Sequence, residues 1–259
     1  MTSENDIKNL EKRLGYFLSS SRYAKKSKIF EEFVEPMKQV GRVCLFGGLI
    51  RDLMFHDARH FSSDLDFVID VDDEEGFQKL VVQLKPTKNS FGGYRACLNG
   101  YKVDFWDIKN TWVNNNKVSV NANTLECLIE TTFFNLDAAI YDLEKRKVHM
   151  KRSFREGLSN RLLDINLEEN PNPDGAAVRA IRRMWTHDLM ASETLVEFIS
   201  DRICTSGWDS LAERDRSAYP SNPILRHLFP HSSPCPTKFK IALGKDRSLR
   251  KPRQLSLPV

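Results

Sequence analysis

"FSSDLDFVID", residues 61–70, sets two carboxylates into an apolar run. Phe61, Leu65, Phe67, Val68 and Ile69 have the composition of a buried β-strand, and Asp64 and Asp66 stand two apart among them. Side chains at i and i+2 of a strand leave on the same face. The two acids are therefore neighbours that repel each other, and covering such a pair without compensation costs several kcal/mol. A strand with this pattern calls for positive charge beside it.

The flanking sequence indicates what kind. "RVCLFGG" (42–48) is a short β-rich run closed by Gly47 and Gly48, and "LIRDLMFH" behind it suits a helix. "DEEGFQKLVVQL" (73–84) reads as an amphipathic helix with its acids at the favourable end of the dipole. "RACLNGYKVDFWDI" (95–108) reads as a hairpin turning at Asn99-Gly100, with Asp104 on its second strand between Val103 and Phe105. "TFFNLDAAIYDLEKRKVHM" (132–150) closes this region with an apolar stretch and a second hairpin. Three carboxylates on neighbouring strands, Asp64, Asp66 and Asp104, can hold two divalent cations in an all-oxygen site. Magnesium suits it, with substrate phosphates and water completing the shell, and manganese is its natural substitute. Two such ions roughly 3.5–4 Å apart clamp an in-line phosphoryl displacement. The glycine pair lets a triphosphate approach the backbone, and the following helix N-terminus offers it N–H donors.

Composition sets the frame. The chain has 259 residues, 41% hydrophobic and 29% charged, which is soluble globular composition with material for a real core. No run is long enough to cross a bilayer. The N-terminus lacks the basic and apolar regions of a signal peptide. Cys44, Cys97, Cys127, Cys204 and Cys235 are odd in number and form no C-x-x-C, which reads as reduced thiols in a cytoplasmic protein. The net charge of +4 permits a polyanionic partner without requiring one.

Residues 3–40 read as helices, with Leu10, Leu14, Phe17 and Leu18, then Phe30, Phe33, Val34 and Met37, at helical spacing around "SSSRYAKKSK". From 151 the pattern is helical again. "AAVRAIRRMWTHDLM" (176–190) carries Arg179, Arg182 and Arg183, and "SETLVEFISDRI" (192–203) has an N-cap at Ser192. Beyond about 215, proline, serine and basic residues dominate, and the tail reads as extended. The expected organisation is helices over 1–40, a catalytic head over 41–150, a helical neck over 151–215 and a basic tail over 216–259.

The combination resembles the polymerase β-like nucleotidyltransferases, and within them the head domain of poly(A) polymerases and CCA-adding tRNA nucleotidyltransferases. "GGLIRD" (47–52) is similar to that family's glycine-glycine-x-x-Arg-Asp motif, and "SDLDFVI" (63–69) to its Asp-x-Asp strand. "TTFFNLDAAIYD" (131–142) stands where the family has Arg-Arg-Asp-Phe followed by an apolar segment and Tyr-Asp. "NPDGAAVRAIRRM" (172–184) resembles its neck helix. The resemblance covers about residues 25–200 and implies an α+β fold, a mixed sheet flanked by helices, followed by a helical neck. It implies Asp64, Asp66 and Asp104 as metal ligands and catalytic residues. It also implies Gly47, Gly48, Arg51 and Asp52 on the nucleotide side, with Arg51 and Asp52 either near phosphate or bracing the helix. Arg179 and Arg182 either hold a triphosphate or primer or form salt bridges.

Two motifs depart from the pattern. Thr131, Thr132 and Phe133 replace the Arg-Arg-Asp that touches nucleotide sugar and phosphate in the family, and the base-reading set of the neck is not intact, with Asp174 near and alanines at 176 and 177. CCA addition is therefore not carried over. The expected activity is template-independent transfer of a nucleoside monophosphate from a ribo- or deoxyribonucleoside triphosphate, ATP among them, to the 3′-hydroxyl of a nucleic acid or growing oligonucleotide, with release of pyrophosphate. A variant of this reading is an antiviral defence or toxin-type enzyme that makes a nucleotide signal or modifies tRNA beside an effector protein. Others are a catalytically silent nucleotide-binding module and transfer to a small molecule or protein side chain. His56 and His60, at i and i+4, and His227, His231 and Cys235 have metal-ligand spacing but read as solvated. His187-Asp188 has the form of a phosphohydrolase dipeptide without companion ligands.

Overall fold

The structure, a computed structural model, describes residues 4–19, 29–55, 64–89, 91–116 and 118–228. His56, His60, Phe61, His231, Cys235 and the basic tail lie outside the described residues. The chain divides into two compact units, residues 1–158 and 159–259.

The first unit is built on a seven-stranded mixed sheet, in the order β3-β4-β5-β2-β1-β6-β7. Its strands are β1 (Gly41–Phe46), β2 (Leu65–Val71), β3 (Thr87–Lys88), β4 (Tyr94–Leu98), β5 (Tyr101–Asp107), β6 (Ala139–Asp142) and β7 (Lys147–Met150). Its helices include α1 (Glu4–Ser19), α2 (Glu35–Lys38), which continues a π-helical turn at Phe30–Val34, α3 (Gly48–Phe55), α4 (Glu74–Leu84) and α5 (Arg152–Asn160). Among the described residues of this sheet, only β2 and β5 run parallel, and the other pairings are antiparallel. A parallel pair needs a crossover connection. Here α4 and the β3–β4 hairpin arm supply it, and α4 opens on Asp73, whose carboxylate accepts from the Gly76 N–H at 3.0 Å.

The sheet separates its two faces by the period-two rule. Val43, Leu45, Leu65, Phe67, Ile69, Val71, Ala96, Val103, Phe105, Ala139 and Tyr141 point to one face and join a single apolar cluster with Leu10, Leu14 and Phe17 of α1 and Phe33 and Met37 around α2. The other face carries Asp64, Asp66, Asp104, Arg95, Arg42 and Asp142. Part of it is also covered. A 3-10 segment, Leu125–Glu130, packs on β2, β6 and β7, and Cys44, Val68, Ile140, Leu125 and Leu128 are all buried.

The turn expected at Asn99-Gly100 is present, with both residues at positive φ, 51° and 83°. That is the backbone twist a two-residue hairpin needs, and asparagine and glycine tolerate it. The hairpin expected within 132–150 is β6–β7.

The second unit is helical, with α6 (Pro173–His187), α7 (Glu193–Ser206) and α8 (Trp208–Ala218), and a small parallel pair, β8 (Leu162–Leu163) with β9 (Met190–Ala191). Ser192 caps α7 as expected, its hydroxyl accepting from the Leu195 N–H at 3.1 Å. α6 ends before the expected 190. Asp188 turns left-handed at φ 51°, and the Leu189 N–H closes on the Met184 carbonyl. α8 runs past residue 215, where the sequence reads as changing to a proline- and serine-rich tail. It is anchored by the fully buried Trp208 and Leu211 and by buried Asp215 near its end. No helix among the described residues is long and apolar enough to cross a membrane.

Phe67 is fully buried at the centre of the sheet, with its ring 5.2 Å from that of Phe33. Phe67→Ala is expected to destabilise the first unit by about 3–5 kcal/mol. The measurement is the shift of the first-unit transition in urea unfolding, followed by far-ultraviolet circular dichroism.

Candidate functional site

The parallel pairing of β2 with β5 puts Asp66 directly opposite Asp104. The antiparallel pairing of β5 with β4 puts Asp104 directly opposite Arg95. Asp64 lies two residues before Asp66 on the same face. One register thus brings the three acids that the sequence singles out to one face, and the second adds an arginine to them. The Arg95 guanidinium takes Asp104 in a fork, Nε to Oδ1 at 2.7 Å and Nη2 to Oδ2 at 2.5 Å, and reaches Asp64 Oδ2 at 3.2 Å. Asp66 has the poorest compensation. Burial and the charges of Asp104, Asp64 and Asp137 push its carboxyl up to about 8. Asp107 is not part of the group. It faces the other way and accepts from the Lys109 N–H and the Asn110 side chain.

The glycine turn stands at the same end of the sheet, because Phe46 of β1 pairs with Asp66. Gly47 has φ 68°, and a Cβ built on it would meet no atom within 4 Å. Glycine is thus required there by the backbone rather than by crowding, and the space beside the turn is open. The Gly47 N–H is engaged by the Ala139 carbonyl at 3.2 Å and the Ile50 N–H by the Gly47 carbonyl at 3.1 Å, so backbone donors for an anion at this turn would have to come from Gly48 and Leu49 at the opening of α3.

Arg51 is buried and braces the helix. Its Nε donates to Asp52 at 2.8 Å and its Nη1 to Asp137 at 2.5 Å. Thr131 and Thr132 are also occupied locally. Their hydroxyls donate to the Leu128 and Phe134 carbonyls at 2.8 and 3.0 Å, and the Phe133 ring packs edge-on against Phe134.

Arg179 and Arg182 lie on α6 of the second unit. Arg182 donates to buried Asp215 at 2.7 Å and to the Asn222 carbonyl at 2.9 Å, and its guanidinium lies over the Tyr219 ring at 3.7 Å. Asp215 also accepts from the Ile224 and Leu225 N–H groups, so this arginine closes a buried network within the helical unit. His187 is buried and His227 exposed.

A second polar group, unforeseen in the sequence, occupies the covered end of the same sheet face. Glu126, Asp142 and His149 offer ligand atoms within 4.8 Å of one another, which is not true of the three aspartates. Arg42 already neutralises this group, with Nη2 at 2.6 Å from Glu126 and 2.5 Å from Asp142. Asp142 also takes the Glu144 and Lys145 N–H groups of the β6–β7 turn. The carboxylates here are satisfied without a metal, although the His149 Nε2 is buried with no hydrogen-bond partner. The acidic triad, by contrast, has three carboxylates on one partly exposed face against one arginine. That oxygen-only, under-neutralised donor set fits a hard divalent cation.

No protein-family model matches the chain, and no curated protein matches its sequence. Solved structures match its fold. A CCA-adding enzyme in complex with CTP aligns with a TM-score of 0.55 at 15% identity, covering 86% of this chain and 57% of that one. A Thermotoga maritima CCA-adding enzyme complexed with tRNA aligns at 0.53 with 16% identity, covering 88% and 57%. A tRNA nucleotidyltransferase with a primer tRNA and an incoming ATP analogue aligns at 0.51 with 15% identity, covering 77% and 59%. This chain therefore spans somewhat more than half the length of the structures it matches. The fold is thus similar to that of these solved structures, in keeping with the mixed sheet flanked by helices that the sequence resemblance implies.

Glu126 supplies a pH test of the covered end. Its hydrogen bond from Arg42 holds its carboxyl at about 2 in the folded protein, below the ordinary 4.5. A depressed folded pKa stabilises fully above the unfolded value and is lost as pH falls through the folded one. The stability gap between the natural protein and Glu126→Gln is expected to be about 1 kcal/mol or less at pH 6–7, since the pair is partly exposed. It should narrow as the pH is lowered from about 4.5 towards 2, as read by urea midpoints at each pH.

Proposed function

We propose that the protein is a metal-dependent, template-independent nucleotidyltransferase. It joins a nucleoside monophosphate, taken from a nucleoside triphosphate, to a hydroxyl at the 3′ end of a nucleic acid or oligonucleotide, and pyrophosphate leaves. The observation that carries this reading is the register that sets Asp66 against Asp104, with Asp64 on the same face beside an open glycine turn.

Asp64, Asp66 and Asp104 are the residues that would hold magnesium or manganese. Bound there, such ions supply charge neutralisation at the attacking and leaving oxygens. The rest is the work of the chain. The first turn of α3 offers N–H donors to the phosphates. Arg51, fixed between Asp52 and Asp137, keeps that turn in place, so its role is to position the donors. Asp104, buried and cross-strand from Asp66, accepts the proton of the attacking hydroxyl. Positioning and fixed charge provide most of the acceleration in phosphoryl transfer.

The solved structures of similar fold include enzymes bound to CTP and to tRNA, which supports a triphosphate donor and a nucleic-acid acceptor. The local commitment of Thr131 and Thr132, where the family has Arg-Arg-Asp, favours a nucleotide contact built differently from theirs.

The test is incubation of the full chain with magnesium or manganese and each labelled ribo- and deoxyribonucleoside triphosphate, with no primer, with tRNA or with a DNA oligonucleotide. Labelled product is expected in at least one lane, reduced by about a hundredfold or more in the Asp64→Ala, Asp66→Ala double variant. Triphosphate binding without product in any lane would instead favour a silent nucleotide-binding module.

A further inference from the structure

Arg95 stands among the aspartates of the acidic face without belonging to any of the carboxylate or glycine motifs. It sits on β4, cross-strand from Asp104, and uses Nε and Nη2 to occupy both oxygens of that carboxylate while Nη2 also reaches Asp64. The three aspartates do not converge on a common ligand position in this arrangement, and the arginine bridges two of them. A divalent cation and a guanidinium cannot both lie against the same carboxylate oxygens, because the two positive charges repel at that distance. Metal binding on Asp104 therefore requires Arg95 to let go.

The side chain is free to do so. It is 45% exposed, whereas the Asp104 carboxylate is only 9% exposed. Its strand lies two positions from β2, about 10 Å at ordinary strand spacing, within the sweep of an extended arginine. A guanidinium released there needs a new anion. A polyphosphate held over Asp66 offers one, since the planar fork pairs with phosphate oxygens as it does with carboxylate oxygens.

We propose that Arg95 exchanges partners when substrate binds. It neutralises Asp104 and Asp64 in the free protein and moves to the phosphates when metal and polyphosphate arrive together. The consequence is coupling. Metal alone binds weakly because it displaces the arginine into water, and the metal–polyphosphate complex binds well because the arginine gains a partner. This rests on the aspartates being the metal site, and the experiment separates the two claims.

Mn2+ binding alone is measured by electron paramagnetic resonance, and binding of preformed magnesium–tripolyphosphate by calorimetry. The forms compared are the natural full chain, Arg95→Gln, Arg95→Lys and the Asp64→Ala, Asp66→Ala double variant, each checked for folding by near-ultraviolet circular dichroism. Lysine keeps the charge and loses the fork. Expected are about tenfold tighter Mn2+ binding and about tenfold weaker magnesium–tripolyphosphate binding in Arg95→Gln, with shifts of the same two signs in Arg95→Lys. A purely structural role would move both affinities the same way, and a pure field effect would leave Arg95→Lys unchanged; either result overturns the exchange. Loss of Mn2+ binding in the double aspartate variant upholds the metal site independently. Absence of Mn2+ binding in every form removes the metal reading and the exchange with it.

Discussion

The mutual repulsion of Asp66 and Asp104 is the constraint on which the rest of this protein turns. The two residues face each other in the one parallel pairing of the sheet, and Asp64 adds a third charge at the same end. A fold selected for stability alone has no use for such a face. Here the opposite face is a largely apolar surface locked to α1, α2 and α4, and its packing offsets the electrostatic cost. Arg95 meets part of the charge, and what it leaves unmet is concentrated on Asp66.

The same sheet face solves a similar problem in two ways. At its covered end, Glu126 and Asp142 are matched by Arg42, and Asp142 is completed by two backbone N–H groups of its turn. That group holds the 3-10 segment Leu125–Glu130 against β1 and β6. At the open end, the acids outnumber the arginine and both oxygens of Asp104 depend on one exposed side chain. The difference between the two ends is a difference in satisfaction. A closed network stabilises a fold, and an under-neutralised, accessible one is available to a ligand.

Much of the first unit is legible in the sequence because its signals are local. The alternation of Val43, Leu45, Phe67 and Ile69 sets which face of each strand is apolar. Asn99-Gly100 dictates a tight hairpin, the acids at 73–75 mark the start of α4, and in the second unit Ser192 caps α7. The two-residue spacing of Asp64 and Asp66 places both acids on one face whatever the rest of the chain does. The end of α8 is not legible, because its charged residues mask the few buried positions, Trp208, Leu211 and Asp215, that tie it down. The role of Arg182 was open for the same reason. An arginine on a helix reads alike whether it meets a phosphate or, as here, a buried aspartate 33 residues further on.

What the sequence by itself determined is the main strands and helices of the first unit and the pairing of carboxylates within one strand, since both follow from side-chain period and backbone preference. Only the tertiary structure decided that β2 lies parallel to β5, that Asp104 therefore faces Asp66, and that Arg95 and Arg42 stand at opposite ends of the same polar face. These are matters of strand order and register between segments far apart in the chain. They are fixed by the burial of the opposite, apolar face as a whole, and no single stretch of sequence carries that information.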